Sequence, residues 1–175
     1  GYDGYNRSGD LPTTLQILEG QSPANSEAVK LIHTPGSKFQ YSGGGYTLMQ
    51  LALTDHYQQP YDQWMQEQVL SSLAMNNSSY QQPLPAALIE QTSSGHYSDG
   101  QKVDNGFHIY PEMAAAGLWT TATDLANYTI ELQNTIKGDG THLLESERLM
   151  EMLDAGKSPG FGLGFQLFPN DNNGY

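Results

Sequence analysis

Three consecutive glycines, Gly43-Gly44-Gly45, stand between an extended stretch and an apolar-periodic one. That junction constrains the chain more than any other feature. Glycine lacks a Cβ, so the backbone there can approach a neighbour closely or take a positive φ. Tyr46, Met49, Leu53 and Tyr57 then fall on or near one helical face, widened by Leu48, Leu51 and Ala52. The free N–H groups of such a helix point back at the residues before it. Those residues include Tyr41 and Ser42. A hydroxyl pair held at such a junction is a candidate piece of a reaction site.

The chain before it predicts one short helix and two short strands. Asp10 is placed to cap a helix with Pro12 in its first turn, Leu11, Leu15 and Leu18 forming one stripe and Gly20 ending it. Val29, Leu31 and His33 alternate with Lys30 and Ile32, Pro35-Gly36 marks a turn, and Lys38 to Tyr41 returns as a second strand. After the glycines, Pro60 opens a helix whose apolar face is Tyr61, Trp64, Met65, Val69, Leu70 and Leu73. Residues 76–106 read as a long polar loop with one helical turn at Ala86–Glu90. Thr120, Thr121 or Thr123 caps a helix carrying Leu125, Tyr128, Thr129, Leu132 and Ile136, ended by Gly138. A last helix starts at Ser146 and closes at Gly156, and Phe161 to Phe168 alternates like an edge strand. The expected fold class is mostly α with short β strands, in one domain over 1–175.

Composition excludes several functions. The chain has 7 basic and 19 acidic residues, a formal charge of −12, which cannot neutralise a row of phosphates, so no nucleic acid is expected as partner. The absence of cysteine removes disulfides, thiolate metal sites and a cysteine nucleophile. No run of about 18 apolar residues exists to span a membrane, and no stretch has a secretory-signal pattern.

Motif chemistry narrows the field further. The nucleophile elbow Gly-x-Ser-x-Gly is broken at Ser42, where Gln40 replaces the first glycine. The positions three before Lys30, Lys38, Lys102, Lys137 and Lys157 are Glu27, Pro35, Asp99, Asn134 and Asp154, so Ser-x-x-Lys is absent. His33, His56, His96, His108 and His142 include no pair at i, i+4, so no metal is expected. Asn170 to Gly174 has the composition of a calcium loop but lacks its first ligand and its glutamate. The glycines lack the lysine and hydroxyl of a phosphate loop, and no cofactor is expected.

Pro35-Gly36-x-x-Phe39-x-Tyr41-Ser42-x-x-Gly45-Tyr46-x-Leu48-Met49 resembles a segment of the serine β-lactamase-like hydrolases, a family that includes class C β-lactamases, DD-peptidases and related esterases. Three further segments agree in order: Pro60-Tyr61 through Leu73-Ala74-Met75-Asn76-Asn77-Ser78, then Ala115 through Ala126, then Gly162-Leu163-Gly164-Phe165. The resemblance implies the helical domain of the β-lactamase/transpeptidase-like α/β fold, with residues 1–160 mainly helical and 161–168 a strand of the sheet domain. It implies acyl transfer through an acyl-serine, with a small-molecule or peptide-like substrate.

By the same resemblance Tyr41 is the catalytic tyrosine, and Ser42 and Gly43 are substrate-binding positions. Gly43 replaces the family's motif asparagine, which weighs against β-lactam and towards ester or peptide chemistry. The nucleophile motif would precede this chain and a Lys-Thr-Gly or His-x-Gly strand would follow it. The expectation is therefore a central fragment, inactive alone. The alternative is a non-catalytic binding or interaction module built from the same helical domain. A complete small esterase using Ser42 is disfavoured by the broken elbow. Self-association through exposed surface or the 161–168 strand is a further expectation. Members of the family are often exported to the periplasm or the medium; the sequence leaves the compartment of this chain open.

Overall fold

The computed structural model describes residues 2–140, 143–154, 156 and 160–168. Its helices are α1 (Thr14–Glu19), α2 (Gly43–Tyr57), α3 (Tyr61–Met65), α4 (Ala86–Ile89), α5 (Met113–Ala116), α6 (Ala122–Lys137) and α7 (Ser146–Leu153). A π-helical turn, Gln66–Leu70, continues α3. Pairing among the described residues is limited to antiparallel bridges at Tyr5–Ile109, Ser79–Trp119, His96–Lys102 and Phe161–Gln166. The mostly α expectation holds, and no helix among the described residues is long and apolar enough to cross a membrane.

Several boundaries differ from the sequence reading, each for a local reason. α1 is capped by Thr13 and not Asp10. The Thr13 hydroxyl accepts from the Gln16 N–H (3.2 Å) and the Gln16 side chain accepts from the Thr13 N–H (2.9 Å), a reciprocal box satisfying two orphan donors. Ile17 is therefore the buried residue of α1, and Leu15 is half exposed. The Val29–His33 and Lys38–Tyr41 strands do not form. The turn between them does, with Ser37 N–H on the Thr34 carbonyl, but Leu31 and Ile32 lie exposed and find no ladder partner. Phe161 to Phe168 is not an extended strand either. It doubles back, with Gly162 N–H on the Phe165 carbonyl and Leu167 N–H on the Gly160 carbonyl. Phe161 stacks on Phe39 (4.3 Å between ring centroids), tying this bend to the segment before Tyr41.

The main apolar cluster is Leu70, Leu73 and Met75, packed against Val69, Tyr80, Tyr128 and Leu143. It lies where the turn after α3 meets α6. Asp124, in the first turn of α6, fixes this junction. It is 2 % exposed, and its carboxylate accepts from the Ser78 hydroxyl (2.7 Å) and the Asn77 N–H (2.8 Å). Its own N–H donates to the Thr121 hydroxyl, the N-cap of α6. Two of the four recognised segments thus meet in one hydrogen-bonded carboxylate.

Burial opposes ionisation of Asp124, but the Ser78 and Asn77 donors outweigh it and hold the carboxyl below its ordinary value. A depressed carboxyl contributes stability above its unfolded pKa and loses it as pH falls through the folded one. Asp124→Ala is expected to lower unfolding free energy by about 2–4 kcal/mol, since charge-assisted bonds are lost and buried donors are left unpaired. Urea unfolding at neutral pH measures this. The difference from the unsubstituted chain should shrink as the pH falls below the aspartate range.

Candidate active site

The Tyr41–Gly45 junction is built by helix capping and two close approaches. Ser42 is extended (φ −151°, ψ 107°) and is the N-cap of α2, its Oγ accepting from the Gly45 N–H at 3.0 Å. A Cβ on Gly43 would come within 3.0 Å of the Tyr2 ring, and one on Gly44 within 2.7 Å of Val29 Cγ2. These glycines therefore let two side chains close over the start of the helix. Thr47 Oγ1 donates to the Gly43 carbonyl (3.1 Å), so its oxygen is left to accept from the Tyr2 hydroxyl (2.9 Å). Tyr2 is thereby fixed over Gly43, in the space where a motif asparagine side chain would leave the backbone.

Tyr41 projects outward. It is 78 % exposed, and its hydroxyl makes no hydrogen bond among the described residues. The structure thus brings Tyr41, Ser42 and Gly43 together as neighbours at one helix entrance and gives each a different situation. Tyr41 is presented, the Ser42 hydroxyl is engaged as a cap, and Gly43 lies under Tyr2. Among the described residues no three His, Asp or Glu side chains gather as a metal site. His142, Lys157 and the Asn170–Gly174 stretch lie outside the described residues.

The support behind the junction is polar, and sequence reading missed it. α2 exposes Leu48, Met49 and Tyr57 and buries Thr47 and Gln50. Gln50 Nε2 donates to the Pro111 carbonyl (3.0 Å) and the Thr14 hydroxyl (3.2 Å), and Oε1 accepts from the Ala114 N–H (3.0 Å). Glu112, between those contacts, is fully buried, and neither carboxyl oxygen has a well-formed hydrogen bond among the described residues. Burial pushes its carboxyl above the usual range, partly offset by its own backbone and by the Tyr5 hydroxyl. Tyr2 is raised as well, first by its own burial, then with a smaller contribution from the nearby Glu112 carboxyl. The sequence signals were a glutamine at i+3 from Thr47 on an apolar helix and a glutamate two positions before three alanines.

This arrangement is that of the helical part of the β-lactamase/transpeptidase fold, as solved structures show. The chain is similar to a D-alanine carboxypeptidase from Burkholderia cenocepacia (TM-score 0.60, 18 % identity, 83 % of this chain, 38 % of that one). It is similar to a D-amino acid amidase from Ochrobactrum anthropi (TM-score 0.59, 22 % identity, 84 % and 40 %). It is also similar to an octameric penicillin-binding protein homologue from Pyrococcus abyssi (TM-score 0.57, 22 % identity, 84 % and 32 %). At these identities the likeness is one of fold. The chain spans less than half the length of each of these structures. No curated protein matches it. The beta-lactamase family model matches residues 1–175, and the chain belongs to that family of serine hydrolases.

The seat of Tyr2 over Gly43 makes a prediction. Gly43→Asn should destabilise the chain by about 1–3 kcal/mol, the usual range for forcing a side chain into filled space. In a Tyr2→Ala background the same substitution should cost clearly less, because the ring it meets is gone. Thermal or urea unfolding of the four proteins reads the coupling; purely additive effects would show that Tyr2 does not occupy that space.

Proposed function

We propose that this chain is the tyrosine-bearing, chiefly helical portion of a serine acyl-transfer hydrolase acting on an ester or peptide-like bond through an acyl-serine. The observation that carries this reading is Tyr41. It stands beside a capped helix entrance, exposed and unpartnered, within a segment that matches the family's motif in order with three others. In the proposed mechanism Tyr41 exchanges the proton of a serine hydroxyl supplied from outside residues 1–175. A free phenol has a pKa of about 10 and is a poor base at neutral pH, so it needs a neighbouring cation. That cation is also assigned outside this chain, which lacks Ser-x-x-Lys throughout. Ser42 and Gly43 would border the substrate with backbone groups, since the Ser42 Oγ is held by the Gly45 N–H. The replacement of an asparagine side chain by Gly43 under Tyr2 removes an amide and favours ester over β-lactam chemistry.

A second reading has its own support. The Ser42 hydroxyl is engaged as a cap and the space over Gly43 is filled. Both are compatible with a binding module that kept the helical domain and lost the reaction. Both readings include self-association. Leu31, Ile32, Leu48, Met49, Leu163 and Phe168 are 50 % or more exposed, and large apolar exposure favours contact with a partner surface.

The chain alone is expected to hydrolyse neither p-nitrophenyl butyrate nor nitrocefin above background. Turnover that Tyr41→Phe abolishes would show that the chain is complete in itself, contrary to the proposal. Sedimentation at rising concentration should show association; a monomer throughout would remove that part of the reading.

A further inference from the structure

A cavity lined largely by the long loop carries two cations, Arg7 and Lys102, beside one carboxylate, Asp104, in a chain that is otherwise acidic. It measures about 480 Å³ and is lined by Arg7, Lys102, Ser94, Val103, Phe107 and Ile89 among others. Pockets for small ligands span roughly 300–1,000 Å³. Arg7 and Lys102 are two of only 7 basic residues against 19 acidic ones. Among the described residues neither forms an ion pair; the pair found there is Arg148–Glu151.

Arg7 is held in place before any ligand arrives. Its Nη1 donates to the Asn105 carbonyl at 2.9 Å, and its guanidinium lies over the Phe107 ring, 4.7 Å from the centroid. Stacking of this kind orients the planar fork and leaves its remaining N–H groups available. The hydroxyl of Ser94 makes no hydrogen bond among the described residues and adds a neutral donor to the same lining. Val103, Phe107 and Ile89 supply apolar wall, and Phe107 and Val103 are buried and firmly seated. Asp104 on the lining penalises a multiply charged anion more than a singly charged one.

We propose that this cavity is a recognition site for a single carboxylate carrying an apolar or aromatic group. Arg7 binds the carboxylate edge-on, Lys102 adds charge, and the substituent packs along the partly exposed Ile89. The site is distinct from the Tyr41 junction and does not depend on the hydrolase reading.

The test uses N-acetylphenylalanine as probe, its uncharged amide as control, and inorganic phosphate as the competing anion class. Trp119 packs edge-on against Phe107 at 4.7 Å between centroids, so its fluorescence reports occupancy, with calorimetry as the independent measure. The carboxylate should bind saturably, the amide and phosphate should not, and added salt should weaken binding. Lys102→Gln and Arg7→Gln should each weaken it by about tenfold, as loss of a charge-assisted bond does. Lys102→Gln, at an exposed side chain, keeps the test valid if Arg7→Gln loosens the Asn105 contact. Equal binding of the amide, preference for phosphate, indifference to both substitutions, or no saturable binding would each overturn the proposal.

Discussion

The Gln50 side chain is the interaction on which the rest of the structure depends. A buried amide without partners would be costly, and this one makes three hydrogen bonds, to Thr14, Pro111 and Ala114. Those partners belong to the start of α1 and to the approach and first turn of α5, whose Ala114 N–H has no carbonyl of its own helix to donate to. One side chain therefore sets where α2 lies between two short helices that could not hold their positions alone. Because α2 begins at Gly43, this also sets where Tyr41 and Ser42 are presented.

The polarity of that support has consequences for the chemistry. Thr47, Gln50 and Glu112 are buried behind the helix entrance, while Leu48 and Met49 face outward. Most helices at the edge of a core do the reverse. α2 thus buries two polar side chains beside the half-buried Leu51 and Leu53 and leaves Leu48 and Met49 exposed. Glu112 adds to this picture. Its carboxyl is enclosed near Tyr2 and Tyr5 with no cation beside it among the described residues, and burial raises its pKa above the ordinary carboxylate value.

Much of this was legible in the sequence. The helix entrance after Tyr41-Ser42, the break at Pro60, the turn at Ala86 and the stop at Gly138 follow from capping and turn chemistry, which are local. The four ordered segments gave the fold and the family, and pointed to Tyr41. What was not legible is what depends on partners distant in the chain. The periodicity of α2 suggested that Met49 and Tyr57 were inside, but the interior is won by Thr47 and Gln50, whose partners lie at residues 2, 14, 111 and 114. The alternation at Val29–His33 and Phe161–Phe168 had the period of strands and no strands to pair with, so the first stays irregular and the second folds onto itself. The ring of Tyr2 over Gly43 had no signal short of the fold.

Under the proposed function, residues 1–175 carry the tyrosine of an acyl-transfer site and not its nucleophile. The most direct measurement is the intact mass of the chain after exposure to a fluorophosphonate, which marks activated serines. An unmodified mass is expected, with the Ser42 Oγ held by the Gly45 N–H. A stoichiometric adduct mapping to Ser42 would contradict it and make this chain an enzyme in its own right.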